Sequence, residues 1–258
     1  MNKSDVLRLT EEIGFLPESK FGQNFLCDDE FSKRIVDLCN LRSGDRVLEI
    51  GPGLGSLTSI LVSNDISLTA VEIDKRLAEY VENMYDCTVF ANDYTKLKPD
   101  DYGASSFDVA VSNIPYYLMT PIMKKLMTDL KNSRRMVLMV EKDALDRILA
   151  KPKTKQYGPL AVLCSNYGDI NVEFDLSGNL YYPVPKTIST VITLTRRADS
   201  FCIDKDYVAF LDKCFNNRRK KLLNNVDVSS EKLVELGYSD TVRAEEIRSE
   251  DFIKLYVV

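Results

Sequence analysis

The stretch VSNIPYYLMTPI, Val111 to Ile122, places an asparagine, a proline and two tyrosines directly after a short apolar run that reads as a buried strand. Pro115 biases Ile114 towards an extended conformation and has no amide hydrogen, so backbone carbonyls around it stay available as acceptors. Asn113 adds a side-chain carbonyl beside them. Together they can accept both hydrogens of an exocyclic amine and aim its lone pair at an electrophilic carbon. Tyr116 would stack on the ring that carries the amine, a contact worth about 1 to 3 kcal/mol. Amine alkylation of this kind depends on alignment more than on a strong base, because the N–H becomes acidic as the new bond forms. The chain contains no histidine. That removes imidazole-based nucleophile systems and histidine-ligated metals without touching alignment chemistry.

A second group of chemistry-bearing residues lies upstream. VLEIGPGLGSLT puts Gly51, Gly53 and Gly55 where a strand gives way to a helix, and glycines there let the backbone approach a ligand closely. A GxGxG by itself is equally compatible with a tight turn. The next strand ends in VEID, so Glu72 falls about 20 residues past the glycines, where a carboxylate can accept from both ribose hydroxyls. The strand after that ends in AND, which puts Asp93 at the same edge, placed to accept from an adenine amino group. These three strand ends fit an adenosyl ligand, whether a dinucleotide or S-adenosyl-L-methionine. The amine clamp at the fourth strand end favours the methyl donor.

Such a site needs a sheet whose strand ends share one edge. DRVLEIG, SLTAVEID, TVFAND, FDVAVSN and RRMVLMVEK are short, apolar and rich in Val and Ile, as strands covered on both faces should be, and helical segments separate most of them. The alternation predicts an α/β fold, Rossmann-like, with a mainly parallel doubly wound sheet. DINVEFDLSG and STVITLTRR leave little room for a helix between them, which predicts an antiparallel pair at one edge. Before the sheet, DDEFSKRIVDLCN has helical spacing with Asp28 as its N-cap. From about Phe201 the texture turns helical, in DKDYVAFLDKCFNN, RRKKLLNN, SSEKLVELG and SEDFIKLYVV. The expected division is a catalytic domain with an N-terminal arm over 1–197 and a small helical domain over 198–258.

At 258 residues and 45% hydrophobic content the chain can bury a substantial core. No apolar run has signal-peptide or membrane-spanning length, so a cytoplasmic protein with no membrane partner is expected. The six cysteines show no metal-ligand spacing, which predicts scattered reduced thiols and no metal. The net charge of −5 is unevenly spread: residues 1–123 carry −9, 124–155 carry +6 and the remainder −2. The basic middle supplies candidate phosphate contacts in Lys124, Lys125, Arg134, Arg135, Arg147, Lys151, Lys153 and Lys155, with a second cluster over Arg218 to Lys221.

On these motifs the sequence resembles the ribosomal RNA adenine N6-dimethyltransferases, a class I S-adenosylmethionine-dependent family, from Lys20 to about Asn225. The resemblance implies that KFGQNFL brings Gln23, Asn24 and Leu26 over the methionine end of the cofactor, and that Gly51, Glu72, Asp93 and Asn113 are cofactor contacts. YYPVPKTIST is similar to the family's F-x-P-x-P-K-V segment, which implies that Tyr181 covers a flipped base opposite Tyr116. DRILAKPKTKQYGPLAV and CFNNRRKKLLNNV are closer to the small-subunit branch, whose members dimethylate two adjacent adenosines near the 3′ end of small-subunit rRNA during maturation of the pre-ribosomal particle. The expected RNA contacts are Arg147, Lys151, Lys153, Lys155, Arg218, Arg219 and Lys220, and the expected state is a monomer. Large-subunit methylation giving macrolide resistance, and a non-catalytic assembly or nucleic-acid-binding factor on the same fold, are the alternatives. The chain departs from the family pattern at Glu141 (often Gln), Thr187 (Val), Tyr181 (Phe) and Lys221 (Thr).

Overall fold

The computed structural model describes residues 1–18, 22–198 and 200–256. Lys20 and Phe21 of the KFGQNFL motif, and the last two residues of SEDFIKLYVV, lie outside the described residues.

The apolar runs become strands. In chain order these are β1 (Phe25–Leu26), β2 (Asp45–Ile50), β3 (Ile66–Glu72), β4 (Thr88–Ala91), β5 (Val109–Asn113), β6 (Arg135–Glu141), β7 (Gly168–Leu176), β8 (Tyr181–Tyr182) and β9 (Ser189–Arg196). The helices are α1 (Lys3–Glu12), α2 (Asp29–Leu38), α3 (Thr58–Leu61), α4 (Lys75–Met84), α5 (Met119–Asp129), α6 (Leu145–Ile148), α7 (Pro159–Tyr167), α8 (Lys205–Phe215), α9 (Ser230–Glu235) and α10 (Ser249–Tyr256). Seven strands form one sheet in the order β4-β3-β2-β5-β6-β9-β7. β2 to β6 are mutually parallel, and β9 runs antiparallel between β6 and β7, so the antiparallel pair closes one edge as expected. Four parallel strands therefore end side by side, with Ile50, Glu72, Ala91 and Asn113 as their last residues.

Period-two alternation sorts the strand side chains into two buried layers. Leu48, Ala110, Met136 and Leu138 pack towards α5 and α7, whereas Val47, Val109, Val111, Val137 and Met139 pack towards α2 and α3. α2 begins where the sequence says, with the Asp28 carboxylate accepting from the Phe31 amide at 2.9 Å. The helical segments after residue 201 share the first layer: Tyr207, Leu211, Leu233 and Phe252 belong to the same buried cluster as the sheet residues. One segment differs from its helical reading. RRKKLLNN holds only a short 3₁₀ turn, Leu222–Asn224, because Lys221 bridges Arg243 and the Leu222 amide donates to the Val242 carbonyl at 2.8 Å. Pairing with this later strand-like stretch replaces the helix there.

Candidate active site

A cavity at the shared strand edge is lined by Gly51, Gly53, Glu72, Asp93, Asn113 and Pro115, and by Gln23, Asn24 and Leu26 from the N-terminal arm. Residues spread over 93 positions of sequence meet there because β2, β3, β4 and β5 end together.

Glu72 is buried, and its two oxygens accept from the Gly53 amide at 3.1 Å and the Asp74 amide at 3.0 Å. Burial pushes its carboxyl upward, and those backbone amides oppose the shift. Asp93 accepts from the Thr95 amide at 2.9 Å and the Thr95 hydroxyl at 2.7 Å, with Lys96 at 3.2 Å. Burial raises Asp93, but the Thr95 and Lys96 bonds together hold it below the ordinary carboxylate value. Asp93 thus caps the Tyr94–Lys96 turn and faces the cavity as well. The glycines divide the work. Gly53 has φ +59°, and a Cβ there would sit 2.9 Å from the Phe25 ring, so the glycine lets the arm close on the loop. Gly55, expected to be a cofactor contact, is packed under Tyr85 instead, and a Cβ there would lie 2.4 Å from that ring.

The arm is tied down by polar contacts. The Gln23 amide donates to Asp74 at 3.3 Å and its carbonyl accepts from the Glu18 amide at 2.7 Å, while Arg76 joins Glu18 and Asp74, each at 2.8 Å. Asp74 and Arg76 carried no signal of their own in the sequence beyond helix capping. The Asn24 carbonyl accepts from the Asn113 side-chain amide at 3.1 Å. Asn113 therefore spends its N–H on the arm, which leaves its carbonyl oxygen as an acceptor. Ile114 is buried, its amide donates to the Met139 carbonyl at 3.2 Å, and its own carbonyl accepts nothing among the described residues. The Pro115 carbonyl is taken by the Leu118 amide at 2.9 Å. Two acceptors thus remain at the clamp.

Tyr116 is half-buried and bonded through its hydroxyl to Ser189 at 2.9 Å. Tyr181 does not present an open face opposite it. Its ring is 1% exposed in the layer with Leu26 and Val191, because β8 pairs with β1 and folds the ring inward. Tyr117, which sequence reasoning passed over, is 57% exposed and lines the cavity beside Gly22.

The basic candidates divide. Arg147, Lys151, Lys153, Lys155, Arg219 and Lys220 are exposed. Arg218 is not a free phosphate ligand: it bonds Glu245 at 2.7 Å and the Thr154 carbonyl at 3.3 Å, and also meets the Lys155 carbonyl. Arg134 pairs with Asp45, Arg135 meets Leu38 and Thr195, Lys124 pairs with Asp212, and Lys125 is held by Asp129 and the Leu97 carbonyl. Acidic side chains take Arg134, Lys124 and Lys125, and a carbonyl and a hydroxyl take Arg135. No group of metal-ligating side chains occurs among the described residues, and no helix among them is long and apolar enough to cross a membrane.

A Rossmann-like sheet with glycine, glutamate and aspartate on successive strand ends, and carbonyl oxygens left unpaired among the described residues on the fourth, is the arrangement of a class I methyltransferase. The fold agrees with a dimethyladenosine transferase from Plasmodium falciparum, which aligns over 90% of this chain and 95% of its own with TM-score 0.73 at 24% identity. The 23S rRNA methyltransferase ErmE aligns over 90% of this chain and 98% of its own with TM-score 0.61 at 23% identity. The model of the family described as ribosomal RNA adenine dimethylase matches residues 14–257, and the chain belongs to that family. It is similar to the ribosomal RNA small subunit methyltransferase A of Malacoplasma penetrans, 36% identical over 249 residues, covering 93% of this chain and 91% of the relative. The protein of the same name from Pediococcus pentosaceus is 32% identical over 278 residues, covering 99% and 94%.

Proposed function

We propose that this chain is an S-adenosylmethionine-dependent enzyme that dimethylates N6 of two adjacent adenosines near the 3′ end of small-subunit rRNA. The observation that carries the reading is the pair of unspent acceptors at the end of β5: the side-chain carbonyl of Asn113, which lines the cavity with Glu72 and Asp93, and the adjoining backbone carbonyl of Ile114, which lies between two lining residues, Asn113 and Pro115. The cofactor fits that cavity by donor chemistry: Glu72 and Asp93 are carboxylates at the positions where ribose hydroxyls and an adenine amine need acceptors. When bound, it supplies an electrophilic methyl group. The protein's part is to hold and orient. The clamp acceptors take the amine hydrogens and favour a localised lone pair, Tyr116 carries the base, and the arm residues Gln23, Asn24 and Leu26 exclude water.

The small-subunit relatives named above match nearly the whole chain, which favours the small subunit over the large one. The RNA-facing surface in this reading is the exposed set Arg147, Lys151, Lys153, Lys155, Arg219 and Lys220, with the helical part over 198–258 contributing the last two. The substrate is rRNA in a pre-ribosomal particle, met in the cytoplasm by a monomer. Incubation with labelled S-adenosylmethionine and undermethylated small subunits, followed by nucleoside analysis, tests the reading. N6,N6-dimethyladenosine is the expected product, and its absence beside an active control enzyme rejects the assignment.

A further inference from the structure

Tyr116 sits in a three-residue 3₁₀ turn, Tyr116–Leu118, that has no side-chain cap. Its ring is pinned at the far end by Ser189 Oγ, 2.9 Å from its hydroxyl. Ser189 opens β9 opposite Glu141, the last residue of β6, so it stands at the sheet edge that also carries Asn113, and it is 1% exposed. A second hydroxyl shares the spot. The Tyr181 hydroxyl is buried without a hydrogen-bond partner among the described residues, and Ser189 and Tyr116 are its polar neighbours. A serine hydroxyl has one proton and two lone pairs, so it can hold one tyrosine firmly and receive from another. Pinning the hydroxyl fixes both ring torsions of Tyr116, and with them the plane on which a base can lie.

We propose that Ser189 is a positioning residue for methyl transfer: it holds Tyr116 by the hydroxyl and so sets the plane of the stacked base relative to the Asn113 and Ile114 acceptors. The proposal rests on the functional reading above and adds to it a residue that contacts neither cofactor nor amine. Transfer depends steeply on alignment, and small misplacements cost one to two orders of magnitude in rate.

The test compares wild type, Ser189→Ala, Ser189→Thr, Tyr116→Phe and the double variant Ser189→Ala/Tyr116→Phe in single-turnover methylation of undermethylated small subunits. Calorimetric affinity for S-adenosylhomocysteine and thermal melts are measured alongside. Ser189→Ala and Tyr116→Phe should each slow transfer by roughly tenfold or more, with unchanged affinity for S-adenosylhomocysteine. Ser189→Thr, which keeps the hydroxyl, should restore most of the rate, and the double variant should be no slower than either single one. A wild-type rate in Ser189→Ala, multiplied losses in the double variant, or a rate loss that merely follows a fall in cofactor-product affinity or melting temperature would overturn the proposal. If Ser189→Ala fails to fold, Tyr116→Phe decides, since a wild-type rate there removes any role for the hydroxyl. A wild-type chain that transfers no methyl at all overturns the functional reading and this proposal with it, whereas normal wild-type transfer beside an unaffected Ser189→Ala overturns this proposal alone.

Discussion

Glu72 is a carboxylate kept in a buried place by two backbone amides, which suits an acceptor that must be ready before its ligand arrives. Glu72→Ala should weaken S-adenosylmethionine binding by about 1.5 to 3 kcal/mol, the value of a hydrogen bond to a charged group. Calorimetry on variant protein with unchanged circular dichroism checks this, and equal affinities would remove Glu72 from the site. Gly55 makes the opposite case, a motif glycine whose work is packing. Its φ is +85°, and an added Cβ would lie 2.4 Å from Tyr85, so Gly55→Ala should cost about 1 to 3 kcal/mol of stability in urea unfolding. Unaltered stability would show that Tyr85 can move aside without cost. Glycines of one motif thus do different jobs, and their spacing alone did not separate them.

Among the elements, β2 carries an unusual load. Glu49 is 2% exposed, with the Thr58 hydroxyl bonded to it at 2.8 Å. Burial pushes its carboxyl up to about 8, Thr58 opposes the shift, and the Glu72 charge adds to it; Tyr85, Cys87 and Cys39 are also close enough to feel Glu49. Unfolded, the group ionises near its ordinary 4.5. The folded state therefore keeps a proton that the unfolded state releases. This contribution to stability is complete below about 4.5 and is lost as pH rises through about 8. The melting temperature of the cofactor-free protein should fall across that window, and Glu49→Gln should flatten the fall. A slope that persists in Glu49→Gln would assign it to another group. Asp45, Asp74, Asp93 and Asp251 shift the other way, so their share is lost only as pH drops below the ordinary carboxylate range.

The loop that bears Lys151, Lys153 and Lys155 is held in a related fashion, by Arg218 on Glu245 and by the Lys153 amide on the Glu245 carbonyl at 2.7 Å. If Arg218 acts by holding this loop, Glu245→Ala should weaken RNA binding in filter or gel-shift titrations, as Arg218→Ala should, although it removes a negative charge. If Arg218 were a phosphate ligand, Glu245→Ala would free it and tighten binding.

Over the whole molecule, the proposed function asks an acidic chain to engage a polyanion, which turns on where its exposed cations lie. Many of the basic side chains that look available in sequence are consumed by internal pairs, which leaves Arg147, Lys151, Lys153, Lys155, Arg219 and Lys220 among those exposed. The Arg219→Ala/Lys220→Ala variant should bind S-adenosylmethionine normally but show a salt dependence of RNA binding shallower by roughly one to two counterions. Identical slopes would place the RNA elsewhere on the surface.

The architecture, and the edge at which Gly51, Glu72, Asp93 and Asn113 meet, were legible in the chain, because strand period, strand-end residues and the Asn-Ile-Pro-Tyr interruption are local patterns. An apolar run of strand length between helices has few ways to be buried, and residues at successive strand ends must then meet. Partnership was decided only by the tertiary structure. Whether Arg218 faces solvent or Glu245, whether Tyr181 covers a base or fills a core, whether Gly55 approaches a ligand or Tyr85, and which hydroxyl pins Tyr116 all depend on residues 27 to 155 positions away. Side-chain pairing at that separation is set by how layers stack, which no local pattern encodes.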